Sequence, residues 1–387
     1  MDDYMVPFGD GVVDVEAAAR ANPAVRWNIV EMDRSHHDMY ELLGRELHAP
    51  GRARTGPRKE VSPTMRVLFL GGTGVLSAAC VSELAQQDVE LTVVTRGRDT
   101  LRPVPPNVRA LHADVRDTDA MSAALAGTQL FDVVVNFIGY HPEDIAADVT
   151  RFTGRTGQYV FISTGSVYAR PAPRLPVDES SARRAGNFDY PRLKLECEEV
   201  LERAYRRDGF PAVIIRPAHV YDETVLPLLA GWTVIDRWRR GRPAVVHGDG
   251  TSLWNLMHAR DFAHALTGLL GDDRLTGESL HITSDEILTW DGIHTSLARA
   301  AGVEPLLVHR SSEDIGREIP WMGTVLTEDF RHSLIYDNSK LHRLLPQFTS
   351  ATPFRKGAVG IVDRFDAEPG RRVTDKELDA AFDRLTG

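Results

Sequence analysis

From Met65 onward the chain alternates short apolar runs with stretches in which apolar residues recur every three or four positions. Arg66–Leu70 (RVLFL), Leu91–Thr95 (LTVVT), Val108–His112, Phe131–Ile138 (FDVVVNFI), Tyr159–Ser163 (YVFIS) and Ala212–Arg216 (AVIIR) read as strands. Their near-continuous apolar character is that of strands covered on both faces. Val75–Leu84, Asp117–Leu125 and Tyr190–Arg207 read as helices, the last with Leu193, Cys197, Val200, Leu201 and Ala204 on one stripe. Strands separated by helices form βαβ units, so the pattern predicts an α/β fold built on a doubly wound parallel sheet. Beyond about residue 220 it loosens into Pro/Gly-rich segments and separate helices, as a smaller second lobe would. The expected divisions are therefore 1–64, 65–220 and 221–387.

The first 64 residues follow a different pattern. Asp14–Ala21 and Ser35–Leu47 read as short helices, and 51–63 (GRARTGPRKEVSP) as a basic linker. His36, His37 and His48 fall on or beside the second helix, but adjacent histidines point apart on a helix and no thiolate is near. No metal site is expected.

Composition narrows the field. The 387 residues are 42% hydrophobic and 26% charged, which excludes a disordered tail and a small disulfide scaffold. No apolar run approaches the roughly 18 residues that span a bilayer. The net charge of −10 argues against non-specific binding to nucleic acid or anionic membranes. Cys80 and Cys197 lie among helix-forming residues without ligand spacing, so both are expected to be buried free thiols. Two such thiols and an acidic N-terminus without an apolar leader lead to an expected cytoplasmic location.

Five segments carry candidate chemistry. Gly71-Gly72-Thr73-Gly74-Val75-Leu76-Ser77 follows a strand and opens a helix, where free N–H groups and the helix dipole suit a pyrophosphate. The second strand ends in Thr95, followed by Arg96 and Arg98 rather than an acid, which favours a 2′-phosphate and hence NADP over NAD. Asp114-Val115 follows the third strand, where an acid can accept from the adenine amino group. In Tyr190-Pro191-Arg192-Leu193-Lys194 the phenol and ammonium stand at i and i+4 on one helix face, and a nearby cation lowers a phenol's pKa. Ser163-Thr164-Gly165-Ser166 runs off a strand's C-terminal edge into the crevice where such sheets bind ligands.

These segments, with IIRPAHVY at 214–221 and GDGTSLWNLMHARDFA at 248–263, resemble the short-chain dehydrogenase/reductase superfamily in its extended, nucleotide-sugar epimerase/dehydratase branch. The resemblance implies a Rossmann domain over 65–220 and a mainly substrate-binding lobe after it. By position, Thr164 matches the family's Ser/Thr, Tyr190 its catalytic base and Lys194 its ribose-binding lysine. It also implies that Pro217 lines the nicotinamide and that His219 stands where an Asn usually faces substrate. Ser166 and Trp254 are further substrate-binding candidates. Trp254-Asn255 replaces the Arg-Asp pair with which extended members grip a nucleotide diphosphate. Either Arg237, Arg239 or Arg240 holds the phosphate, or the substrate has none. In these departures and its C-terminal lobe the chain looks like a divergent subgroup near the chloroplast stem-loop RNA-binding proteins, which typically lack a complete Tyr-x-x-x-Lys site; this chain keeps it.

The expected activity is epimerisation of a sugar, nucleotide sugar or nucleoside through a transient ketone, with Tyr190 as base. Gly165-Ser166 stand where family dehydratases have Asp-Glu, so dehydration is disfavoured. An NADPH-dependent keto-sugar reductase is the alternative, and a catalytically silent RNA- or protein-binding protein is the alternative of another class. A homodimer is expected, with the 190–207 stripe and Ile145, Ala146, Val149 and Phe152 as candidate bundle faces.

Overall fold

The computed structural model describes residues 64–98, 101–127 and 130–387. The expected N-terminal helices, the linker up to residue 63 and the three histidines lie outside them. The chain begins with β1 (Met65–Leu70), α1 (Val75–Leu84), β2 (Val89–Thr95), β3 (Arg109–His112), α2 (Thr118–Ala124) and β4 (Phe131–Asn136). It continues with α3 (Pro142–Phe152), β5 (Thr156–Ile162), α4 (Asp189–Asp208), β6 (Ala212–Pro217) and the short β7 (His219–Tyr221). Then follow α5 (Trp232–Arg239), β8 (Ala244–His247), β9 (Leu253–Trp254), β10 (Leu256–His258), α6 (Ala259–Thr267) and β11 (Ser279–Ile282).

Strands β1–β6 and β11 form one sheet in the order β11-β6-β5-β4-β1-β2-β3, every pairing parallel. The winding reverses between β1 and β4, and the crevice beyond the carboxyl ends of those strands is where such sheets take ligands. The apolar runs explain the burial: Val67, Phe69, Val93, Val133 and Val135 face α1 and α6, while Leu68, Leu70, Val94 and Val134 face α2, α3 and α4.

Two features add to the sequence reading. The chain after residue 220 does not form a separate lobe throughout, because β11 pairs with β6 in the main sheet and α6 packs on α1. Only four residues long and containing His281, β11 has too little periodicity to be read from the sequence. The apolar stripe of α4, with Ile145, Val149 and Phe152 of α3, is also used internally, in the core with Tyr159 and Phe210. The outer face of α4 instead carries the ion pairs Arg192–Glu196 and Arg203–Glu199. Cys80 and Cys197 are free and buried, as expected.

The remaining chain builds a second core around Trp232, Trp238, Trp254 and Trp290. To it belong β12 (Leu288–Thr289), α7 (Trp290–Ala300), β13 (Leu307–Arg310), α8 (Ser312–Glu318) and α9 (Pro320–Val325). A π-helical turn, Leu326–Phe330, follows α9 directly. The helices α10 (Ser339–Leu344), α11 (Phe354–Ala367) and α12 (Lys376–Thr386) complete the chain.

Candidate active site

Two adjoining clefts open at the carboxyl edge of the sheet, sharing Leu76 and Phe137. The first, of about 600 Å³, is lined by the turn from Gly71 to Ser77, with Arg96, Asp114, Val115 and Arg116. Gly71 has a φ of +87°, which L side chains rarely adopt. A Cβ on Gly72 would fall inside 3.0 Å of Val93 Cγ1, a separation real Cβ atoms essentially never show. Ser77, buried against the sheet, accepts from the Gly74 N–H at 3.0 Å. The glycines thus let the turn lie flat on the sheet and leave the first N–H groups of α1 facing an open cleft, a geometry that fits a dinucleotide's pyrophosphate. Gly71, Thr73, Gly74, Val75, Leu76, Arg96, Asp114 and Val115 all line it as expected. Arg98 does not. Arg116, which the sequence reading overlooked, does, and it stands 3.4 Å from Asp144.

The second cleft, of about 450 Å³, is lined by Thr164, Ser166, Tyr190, Lys194, Pro217, His219 and Trp254, all singled out from the sequence. Asp329, Phe330 and Tyr336 join them from the C-terminal chain. Thr164 is held in extended backbone and its hydroxyl accepts from the Ser166 N–H at 3.2 Å. Behind it Ser163 donates to Glu198 at 2.6 Å, and Glu198 also takes two bonds from Arg216, at 3.0 and 2.9 Å, and one from Arg183 at 2.6 Å. Ser163, Glu198 and Arg216 are buried, Arg183 partly so, and the cluster fixes the end of β5 to α4.

Tyr190 sits in the first turn of α4, half-buried between Tyr140 and Phe188. Desolvation raises its phenol above the ordinary value, while Thr164 lies close enough to favour the charged form. The direction is opposite to the sequence expectation, and Lys194 explains why. Its ammonium is buried, donating to the carbonyls of Gly139 and Ile162 at 2.8 Å each, and desolvation lowers it to about 8. Two of its three N–H bonds are thereby engaged and one remains.

On the opposite wall Trp254 Nε1 donates to His219 Nδ1 at 3.2 Å, which sets the imidazole in its Nε2–H form. Burial lowers His219 to about 4, so the ring is neutral. Asp329, on the π-helical turn, accepts from Ser166 Oγ at 2.8 Å and from Arg170 Nε at 2.8 Å. Tyr336 lies over Gly165, in the space that any side chain there would need. The three candidate phosphate ligands face elsewhere. Arg237 is bound to Asp379 and Asp383, Arg239 to Asp366, and Arg240 to Asp236 and Asp379. Asn255 is structural, donating to the carbonyls of Ser284 and Glu286. Among the described residues no group of His, Cys, Asp and Glu is arranged to hold a metal ion, and no helix is long and apolar enough to cross a membrane.

Similarity to known proteins follows the same outline. The chain is 27% identical to 2′-dehydrokanamycin reductase of Streptomyces kanamyceticus, over 75% of this chain and 82% of that one. It is 25% identical to the chloroplast stem-loop binding protein of 41 kDa b of Arabidopsis thaliana, over 88% of each. Among solved structures it resembles an epimerase of Methanothermobacter thermautotrophicus (16% identity, 80% of this chain and 94% of that one, TM-score 0.66). It also resembles the UDP-glucose 4-epimerase of Thermus thermophilus in complex with NAD (20% identity, 79% and 100%, TM-score 0.62). These two likenesses are of fold. The model of the NAD dependent epimerase/dehydratase family matches residues 67–282, from β1 to the end of β11 and more than half of the chain. With both clefts built largely from that stretch, the chain belongs to the NAD dependent epimerase/dehydratase family and is an NAD(P)-dependent enzyme of the extended short-chain dehydrogenase/reductase type.

Proposed function

We propose that the protein is an NADP(H)-dependent reductase of a sugar ketone. The observation that carries this reading is the pair of guanidinium groups, Arg96 and Arg116, that line the dinucleotide cleft and suit the 2′-phosphate of NADP(H). Tyr190, its phenol raised by desolvation, lines the second cleft as the acid that gives a proton to a carbonyl oxygen. Thr164 shares that oxygen, lowering the barrier as its negative charge develops. Lys194, with one N–H free, is suited to a ribose hydroxyl, and Arg96 and Arg116 supply the cations a 2′-phosphate needs. The nicotinamide ring, when bound, supplies the hydride to the carbonyl carbon. Leu76 and Phe137, shared by the two clefts, and Pro217 in the second give apolar surface where a nicotinamide ring would lie. Gly165 and Ser166 offer no second acid/base pair from β5, which weighs against dehydration.

The epimerase reading shares every one of these residues and is favoured by the family description. The two differ in whether the cofactor leaves. Mass spectrometry of nucleotide released from denatured, otherwise untreated protein distinguishes them. Near-stoichiometric NAD or NADP means retention and an epimerase, whereas no bound nucleotide with clear NADPH binding means a dissociating reductase. If neither cofactor binds, both readings fall and salt-dependent RNA binding becomes the property to measure, in view of the stem-loop binding relative. Tyr190→Phe should lower kcat about 10²–10⁴-fold with NADPH affinity retained, and unchanged turnover would end the mechanism.

A further inference from the structure

We propose that the substrate is an amino sugar without a diphosphate, its ammonium seated on Asp329 beside Ser166. The inference rests on the reading of the second cleft as a sugar carbonyl site. Two charged side chains line that cleft among the described residues, Lys194 and Asp329. Lys194 is held by two backbone carbonyls, which leaves a single N–H for any ligand and no pair of cations for two phosphates. The adjoining bay, of about 230 Å³, holds Arg184, but Glu328 shares it and its other guanidinium, Arg170, is paired with Asp329. A diphosphate entering either space would lose its hydration and meet carboxylates.

Asp329 offers the opposite complement. It is 4% exposed, and its carboxylate has about four acceptor positions. Arg170 approaches Oδ1 with both Nε and Nη2, and Ser166 takes one position on Oδ2. The second position on Oδ2 remains, on the oxygen beside Ser166 at the cleft wall. A donor reaching it makes a charge-assisted bond, and a charged donor makes a stronger one than a hydroxyl. Trp254 and Phe330, with ring centroids 5.0 Å apart and planes inclined at 59°, add apolar ring surface to the same cleft for a sugar's C–H groups.

The test uses the full chain loaded with NADP⁺ and three probes: glucosamine as the cation, glucose as its neutral counterpart and UDP-glucose as the diphosphate. Saturation-transfer NMR gives the affinities. Glucosamine should bind about tenfold more tightly than glucose, and UDP-glucose no more tightly than glucose. Asp329→Asn should bring the glucosamine-to-glucose ratio close to one. Ser166→Ala, a milder change, should lower the ratio in part, and NADPH binding by both variants shows that they fold. Tightest binding by UDP-glucose, a preference that survives Asp329→Asn, or equal or undetectable binding of all three overturns the proposal. If NADPH binds while the preference is absent, this inference alone fails; if the unaltered protein binds no dinucleotide, the reductase reading fails with it.

Discussion

Gly72 offers a quantitative test of how the dinucleotide cleft is built. Its backbone lies outside the left-handed region, so Ala is conformationally tolerated there. The obstacle is Val93, fully buried on β2, whose Cγ1 would meet the new methyl inside 3.0 Å, with Cβ and Cγ2 following at 3.4 and 3.5 Å. Val93 cannot withdraw, because β2 is clamped between β1 and β3. Overpacking of this kind costs about 1–3 kcal/mol, so Gly72→Ala should destabilise by that amount and push the turn outward from the sheet. NADPH affinity should fall with it. Val93→Ala alone leaves a cavity and costs about 2 kcal/mol. In the double variant the methyl on residue 72 occupies the vacated space, and the total should fall short of the sum of the singles by about 1–2 kcal/mol. Urea unfolding of the four proteins, with parallel NADPH titrations, measures the cycle. Additivity within about 0.5 kcal/mol would show that the two side chains do not contend for one space.

Other consequences follow from the same geometry. Arg96→Ala and Arg116→Ala should each weaken NADPH binding about tenfold or more while leaving NADH binding nearly unchanged, as calorimetric titration would reveal. Glu198→Ala should cost about 3–5 kcal/mol in denaturant unfolding, because Arg216 would be left buried without its counter-ion. His294 is buried, bonded to the Trp290 carbonyl at 2.7 Å, and lowered to about 4 by burial. Between about pH 6.5 and pH 4 the unfolded chain therefore binds a proton there that the folded one does not, and stability should fall as pH falls, by up to about 1.4 kcal/mol per unit. His294→Gln should lessen that slope by the share of one proton, leaving the part due to His219, which burial lowers over the same range.

What could be read from the chain alone divides along physical lines. The strands of the main sheet are buried on both faces, so their apolar runs are unbroken and legible; Val133, Val134 and Val135 are all fully buried. The Gly71–Ser77 turn and the Tyr190/Lys194 pair are local in sequence, and their spacing carries their geometry. Asp329 and Tyr336 could not be found in this way. They reach Ser166 and Gly165 across more than 160 residues, on a π-helical turn and an irregular segment whose positions depend on the packing around Trp290 and Phe330. Arg98 and Arg116 show the same limit on a smaller scale, since the course of the loops after β2 and β3 decides which guanidinium reaches the cleft. The raised phenol of Tyr190 was equally hidden, because spacing shows that Lys194 is near but not that two carbonyls hold it.

The seventh strand of the sheet also constrains how the protein can be made. β11 closes an edge that β6 would otherwise present, with Leu280 against Ile215 and Ser279 against Ile214. During synthesis, the nucleotide-binding half stays open along that edge until some sixty further residues have emerged. A fragment ending at residue 220 would leave Val213, Ile214 and Ile215 beside an unpaired row of backbone groups, the kind of surface that draws chains into aggregates. The shortest self-sufficient piece of this chain must therefore extend past Ile282, so that the edge of β6 is covered by its own partner strand.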